Sequence, residues 1–275
     1  MEPRIGLIVT GQEALIELNI FIKSLEVWHP DATLFIFTDS KTEIASLKHN
    51  LKVNTKVCLD KYTGLKRYQM EQTKGLIYNT LWADFMYEKA NVLEWMFSTD
   101  SKPAWFMDVD ITHLAPLPTV PPDAEIALSR HLIQQRQEER FGKYNGGYMW
   151  FKNASLLPIW KAHGHKSIFF EQKALETLVQ TENPKLFEFT PQVNFGWWRM
   201  QQGESSQAEV QSNFSLFRTD KSVGIRYLGE PVQSIHTHWF SKDPECLAFR
   251  NWFDNFTSKF KTHKPLNNFR KMVGL

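Results

Sequence analysis

Ala104-Trp105-Phe106-Met107-Asp108-Val109-Asp110-Ile111-Thr112-His113-Leu114 is the stretch that decides the fold. Four apolar residues, 104–107, run without a break into two aspartates one residue apart. A short, continuous apolar run predicts a buried strand. Side chains alternate along a strand, so Asp108 and Asp110 are expected on the same side at its C-terminal end. Two carboxylates on one side repel each other, and near a core they are costly unless a positive charge lies between them. A hard dication, Mn²⁺ or Mg²⁺, meets that need and takes diphosphate oxygens as further ligands. The alternative is a strand that ends in two solvated acids, with Asp110 capping a turn.

Working outward on the N-terminal side, residues 79–97 form the strongest predicted helix. Leu81, Phe85, Ala90, Leu93 and Phe97 make much of an apolar stripe, and 98–103 stop it. Lys89 sits on this helix, either reaching a phosphate or solvated. Residues 4–10 predict a strand, broken by Gly11, and 12–27 a helix that ends at Trp28-His29-Pro30-Asp31. A second strand over 34–38 closes at Asp39, which is expected to cap a helix over 41–50. A third strand follows over 52–59. Strand and helix alternating at this spacing indicate a parallel α/β sheet. Ligands of such sheets collect at the carboxyl ends of the strands. Thr10 and Gly11 therefore either touch a nucleotide or make a plain turn. Residues 60–75, with Lys66 and Arg67, read as a loop or short helix able to close over an anionic ligand, or as solvated surface.

On the C-terminal side, 125–129 predict another strand and 130–143 a cationic loop or surface helix. In Tyr144-Asn145-Gly146-Gly147-Tyr148-Met149-Trp150-Phe151 the strand is expected over 148–151. The glycines before it would allow close approach of a backbone or ligand. Asn145 stands at the mouth of the site or makes an Asx turn. Residues 155–164 predict a helix with Pro158 near its start, and 169–180 another. Glu171 and Gln172 lie in the first turn of that second helix, where Glu171 serves the helix dipole or faces an acceptor hydroxyl. Trp197 and Trp198 are not easily both buried, so one is a candidate sugar platform. Residues 203–211 read as a polar loop. Residues 232–236 read as a late strand, with alternation continuing to His238, which turns His236 and His238 to one side as candidate metal ligands. A helix over 246–260 and a basic, weakly patterned tail over 261–275 end the chain.

The chain has 275 residues, 42% hydrophobic and 23% charged, with a formal charge of +2. That is enough for a sizeable core and gives no case for a polyanionic partner; nucleic acid is not expected. Two cysteines, Cys58 and Cys246, make no disulfide scaffold and suggest a reducing compartment. With neither a signal peptide nor a membrane-spanning segment in the sequence, the expected location is cytoplasmic. Ten Trp are mostly core, though flat aromatic faces also suit carbohydrate.

Four pieces, in order, give a resemblance to a known family. They are Ile5-Gly6-Leu7-Ile8-Val9-Thr10, Phe106-Met107-Asp108-Val109-Asp110, the Asn145-Gly146-Gly147 segment, and Ile235-His236-Thr237-His238. Together they resemble the nucleotide-diphospho-sugar transferases of GT-A fold, nearest the family 8-like group. The resemblance implies a single α/β domain over 1–275 with a Rossmann-like mixed central sheet flanked by helices. A nucleotide-binding half over about 1–115 would precede an acceptor-binding half over about 116–245, with a C-terminal helix and tail over 246–275. It implies a donor that is a nucleotide-linked sugar, most often a UDP-sugar, a carbohydrate acceptor, and Mn²⁺ or Mg²⁺ on the diphosphate. Asp108, Asp110, His236 and, as alternative, His238 match the metal ligands. Val9, Thr10, Gly11, Asp108, Val109, Lys89 and Lys242 match donor-binding positions. Asn145, Glu171 and Gln172 match positions near the sugar and acceptor, with Glu171 the candidate base for an inverting reaction. The family often follows its His with Gly and Lys-Pro-Trp, whereas Trp239-Phe240-Ser241-Lys242 stands here. A sugar-phosphate nucleotidyltransferase is the first rival, but Thr10-Gly11-Gln12-Glu13 is not the Gly-rich basic loop expected of one. A non-catalytic sugar-binding relative is the second.

Overall fold

In the computed structural model, which describes residues 2–218, 223–258 and 264–275, the apolar runs of the first half form adjacent strands. β1 (Arg4–Val9) leads through Gly11 into α1 (Gly11–Trp28), then β2 (Thr33–Thr38) and β3 (Lys52–Val57). Gly11 has φ +79°, in the left-handed region that glycine enters without strain. A short α2 (Arg67–Gln72) precedes α3 (Leu81–Thr99), which Thr80 caps through Ala83 N–H. β4 (Ala104–Met107) follows, as expected. The helix expected over 41–50 is only a single turn of 3₁₀ helix at Ile44–Ser46. Asp39 takes the Lys41 N–H and the Thr42 hydroxyl, and Thr42 takes the Gly11 N–H. The local side chain–backbone bonds win over helix there.

The remaining elements are β5 (Ile111–His113), β6 (Ile126–Arg130), α4 (Gln135–Phe141), β7 (Tyr144–Phe151), α5 (Leu157–Gly164), α6 (Phe170–Glu182), β8 (Leu186–Phe189) and β9 (Phe195–Gly196). Then come α7 (Trp198–Gln202), α8 (Gln207–Ser212), β10 (Phe214–Arg218), β11 (Val223–Tyr227), β12 (Glu230–Pro231), β13 (Ser234–His236), α9 (Pro244–Ser258) and α10 (Lys264–Met272). The polar loop expected over 203–211 thus holds a helix, capped by Ser206, and the weakly patterned tail carries another. The expected helix end at 259–260 and tail start at 261–263 lie outside the described residues.

Seven strands make one mixed sheet in the order β3-β2-β1-β4-β7-β6-β8. β1 to β4 are parallel, β7 runs antiparallel to β4 and β6, and β8 is parallel to β6. A core from α3, α5 and α6 covers one face, with Phe106, Met149 and Trp160 fully buried. A second core from α1 covers the other, around Leu7, Leu18 and Met107. The third joins Phe195, Trp239, Phe249 and Phe253 under α9 and α10.

One crossing positions the site. β4 ends at Met107, residues 108–110 turn, and β5 joins a separate three-stranded sheet, β5-β13-β9. In it His236 pairs with Ile111, and Thr237 N–H donates to Asp110 O at 3.0 Å. The register of β13 on β5 therefore carries His236 to the aspartate pair across the sequence. Among the described residues no helix is long and apolar enough to cross a membrane, and both cysteines are free.

Candidate metal and donor site

Asp108, Asp110 and His236 converge at the carboxyl end of β4, with one ligand atom from each within 4.8 Å of the others. His236 Nε2 lies 3.1 Å from Asp110 Oδ1 and 3.9 Å from Asp108 Oδ2. The pair was expected to converge by strand alternation. It converges instead because the turn at 108–110 passes from one sheet to the other. Likewise β13 ends at His236, and His238 lies beyond it. His238 is half exposed, with Nδ1 2.7 Å from Glu17 Oε1 and Nε2 3.6 Å from Asp110 Oδ2.

Burial alone would raise the Asp110 pKa, but His236 and His238 overrule it and hold the carboxyl below its usual range. Asp110, opposing burial, pushes His238 up to about 10.

A chain of buried amides sets the His236 tautomer. His236 Nδ1 is 3.2 Å from Asn194 Oδ1, so Nδ1 carries a proton and Nε2, facing the aspartates, is the nitrogen left for a metal. Asn194 Nδ2 donates to Asn145 Oδ1 at 3.2 Å, and Asn145 Nδ2 to His131 Nε2 at 3.4 Å. His131 Nδ1 donates to Gly142 O at 2.8 Å. Burial pushes His131 down to about 4, which keeps it the neutral acceptor this chain needs. Asn194 is fully buried. No sequence motif pointed to it: its partners are 42 and 49 residues away.

β7 supplies the clearance. Asn145, Gly146 and Gly147 lie inside this strand, not before it, and all eight of its residues are buried. A Cβ at Gly147 would stand 2.3 Å from Asp108 Oδ2 and 2.6 Å from His236 Cε1. One at Gly146 would stand 2.7 Å from Glu171 Oε1. At both positions a side chain would displace the carboxylate that now packs there.

Behind these glycines lies Lys89, which is 3% exposed rather than solvated. Its ammonium is 2.9 Å from Glu171 Oε1, 3.2 Å from Asp108 Oδ1 and 3.1 Å from Gly146 O. Burial would lower its pKa, but the two carboxylates reverse that and raise it. Glu171 is 1% exposed; Lys89 is its ion partner, and neither of its oxygens takes a well-angled hydrogen bond. Gln172 is half-buried, and its buried Oε1 has no hydrogen-bond partner among the described residues.

Val9 is buried at the end of β1, with Thr10 and Gly11 opening α1. Val109 packs on the core beneath α1. Lys242 is exposed. Trp198 is buried edge-on against His236, ring centroids 4.9 Å apart, and donates to His131 O. Trp197 is half-buried against the third core.

The residues present fit a hard dication. Two carboxylates and one imidazole, with Nε2 turned toward the carboxylates, form the donor set, and the absence of a side chain at Gly147 lets Asp108 and His236 pack against the β7 backbone.

No protein-family model matches the chain, and no curated protein matches it. Solved structures do match. The chain is similar to mouse xyloside xylosyltransferase 1 in its apo form, with TM-score 0.52 and 12% identity over 86% of this chain and 97% of that one. It is also similar to the galactosyltransferase LgtC in complex with donor and acceptor sugar analogs, with TM-score 0.54 and 12% identity over 93% and 95%. The chain thus shares the fold of these two sugar transferases, a single α/β domain with a mixed central sheet flanked by helices, which is the architecture the sequence resemblance implied. At 12% identity the likeness is one of fold.

Proposed function

We propose that the chain is a metal-dependent glycosyltransferase that moves a sugar from a nucleotide-diphospho-sugar, UDP-linked, to a hydroxyl of a glycan or other acceptor. The observation that carries this reading is the convergence of Asp108, Asp110 and His236, with His236 Nδ1 engaged by Asn194 and Nε2 turned to the aspartates. The shared fold with two sugar transferases supports it.

In this proposal Asp108, Asp110 and His236 hold Mn²⁺ or Mg²⁺, with His238 as a further ligand or as a donor to phosphate. The bound ion supplies Lewis-acid stabilisation of the charge on the departing diphosphate. Asn194 holds the His236 ring. Lys89 holds the Asp108 carboxylate and balances its charge against Glu171. Val9, Thr10, Gly11 and Val109 line the nucleotide side, and Lys242 faces phosphate. Asn145 and Gln172 face the sugar and acceptor. Glu171 works through Lys89 in this geometry, because an acceptor proton has no exposed oxygen to reach on it.

The test is Mn²⁺-dependent hydrolysis of a panel of UDP- and GDP-sugars by the wild type and Asp110→Ala. The expected result is turnover of at least one donor, lost on chelation and lost in the folded variant. A folded Asp110→Ala with wild-type turnover would exclude the metal reading, and no turnover or binding of any donor would exclude the transferase reading.

A further inference from the structure

Among the described residues the most exposed pair of adjacent aliphatic side chains is Leu76 and Ile77, and hydrogen bonds hold their backbone. Leu76 is 77% exposed and Ile77 60%. Their backbone is clamped by Asp84, a carboxylate in the first turn of α3 that is itself 3% exposed. Asp84 accepts the N–H groups of Leu76, Ile77 and Tyr78, the last at 2.8 Å. Lys74 bridges Thr80 across the base of the loop. A buried carboxylate thus fixes the backbone of two aliphatic side chains that stand in water, and a contiguous exposed apolar patch is what marks an interaction site.

Two other segments share this face. The Arg67 guanidinium lies 5.1 Å from the ring of Trp82, which stands two residues before Asp84 at the start of α3. That contact brings α2 alongside, with Tyr68 58% exposed and Leu65 38%. The Trp82 ring meets Phe170 at 6.4 Å and Tyr78 meets His165 at 4.9 Å, so the 165–170 loop lies beside them with Ile168 74% exposed. The cations around these tips are Lys66, Arg67, Lys74 and Lys166, all exposed; Glu71 is the acid between them and pairs with Arg67.

We propose that this face, built from residues 65–77 and 165–170, docks on an anionic lipid surface. The apolar side chains stand on three separate exposed segments around the start of α3, with cations between them. That arrangement suits insertion between headgroups better than a complementary protein surface. The surrounding lysines and arginine supply attraction to negative lipid while their stems lie along the apolar interface. Phe170 begins α6 and Glu171 follows it, so docking here would hold the Lys89–Glu171 side of the candidate site near the bilayer.

The test is co-sedimentation of the full chain with vesicles of neutral phosphatidylcholine, and of phosphatidylcholine with a third phosphatidylserine. Expected are binding to the anionic vesicles at least tenfold above the neutral ones, weakened by added salt. Leu76→Asp/Ile77→Asp and, separately, Lys74→Glu/Lys166→Glu should each reduce it at least tenfold, with circular dichroism and Mn²⁺ binding unchanged. Absence of vesicle binding by the wild type overturns the proposal. So does binding that survives Leu76→Asp/Ile77→Asp. A wild type that stays off vesicles but sediments as a dimer, and becomes monomeric in that variant, reassigns the face to protein contact.

Discussion

Lys89→Met removes the cation that lies between buried Glu171 and half-buried Asp108, and its cost follows from the distances. The ammonium touches Glu171 at 2.9 Å, Asp108 at 3.2 Å and the Gly146 carbonyl at 3.1 Å. Methionine matches the stem but leaves Glu171, 1% exposed, without a counter-charge. Breaking a buried ion pair by deleting one member costs about 3–5 kcal/mol, because the remaining charge stays desolvated. A domain of ordinary stability has about 5–15 kcal/mol to lose, so the variant should unfold at markedly lower urea with unchanged slope. Glu171→Gln in the same chain removes the orphaned charge and should restore at least half of the loss. Mn²⁺ separates the structural role of Lys89 from its place at the site. A dication on Asp108 partly replaces the missing ammonium, so Mn²⁺ should stabilise Lys89→Met more than the wild type. Saturation at a hundredfold over Kd is worth about 2.7 kcal/mol for any ligand that binds only the folded state; the excess above the wild-type gain is the quantity to read. The assay is urea unfolding at pH 7, with and without Mn²⁺, on four chains: wild type, both single variants and the double. A loss below about 1 kcal/mol, together with an equal Mn²⁺ gain in wild type and variant, would refute the reasoning.

Gly147→Ala puts a methyl 2.3 Å from Asp108 Oδ2; overpacking should cost about 1–3 kcal/mol and calorimetric Mn²⁺ affinity should fall at least tenfold, while unchanged affinity would mean Asp108 is not a ligand. Asn194→Leu deletes the group that sets the His236 tautomer, and Mn²⁺ affinity should drop about 10–100-fold with the fold intact by circular dichroism; a variant that binds as wild type would show that the ring needs no such partner. His113 is buried against Phe21 and its pKa is pushed down to about 3. The unfolded chain, with its His near ~6.5, binds the proton first, so this contribution to stability is present above ~6.5 and is lost as pH falls toward 3. It should amount to about 2 kcal/mol between pH 7 and 5, and His113→Leu should flatten that slope; an equal slope in both chains would refute it.

What was legible in the sequence, and what was not, divides by the range of the interaction that decides it. β4 was read to the residue because four apolar side chains and the break after them are local facts. β1, α1 and β2 were read to within a residue at each end for the same reason. Residues 41–50 misled for an equally local reason that composition hides: Asp39 and Thr42 satisfy the turn before a helix can nucleate. Lys89 was harder. α3 has buried residues on nearly every side, from Leu81 to Met96, so a lysine within it looks like part of an amphipathic face although it is in the core. What makes it tolerable there is two carboxylates 19 and 82 residues away, which no window along the chain can see.

The aspartates and His236 were reached by correct chemistry and an incomplete geometry. Strand alternation places i and i+2 on one side, and the two pairs do face one point. Yet neither pair lies on one strand: β4 stops before Asp108 and β13 stops at His236. A continuous strand would have kept both aspartates over a single sheet. The turn at 108–110 instead transfers the chain to β5, and only then does the β5–β13 pairing bring His236 within 3.1 Å of Asp110. The glycines of β7 belong to the same economy of space. Read as loop residues, they would merely loosen a turn. Inside a fully buried strand they are the reason Asp108, His236 and Glu171 approach the backbone so closely. The site therefore depends on where three backbones meet, and a sequence motif records only the side chains they carry.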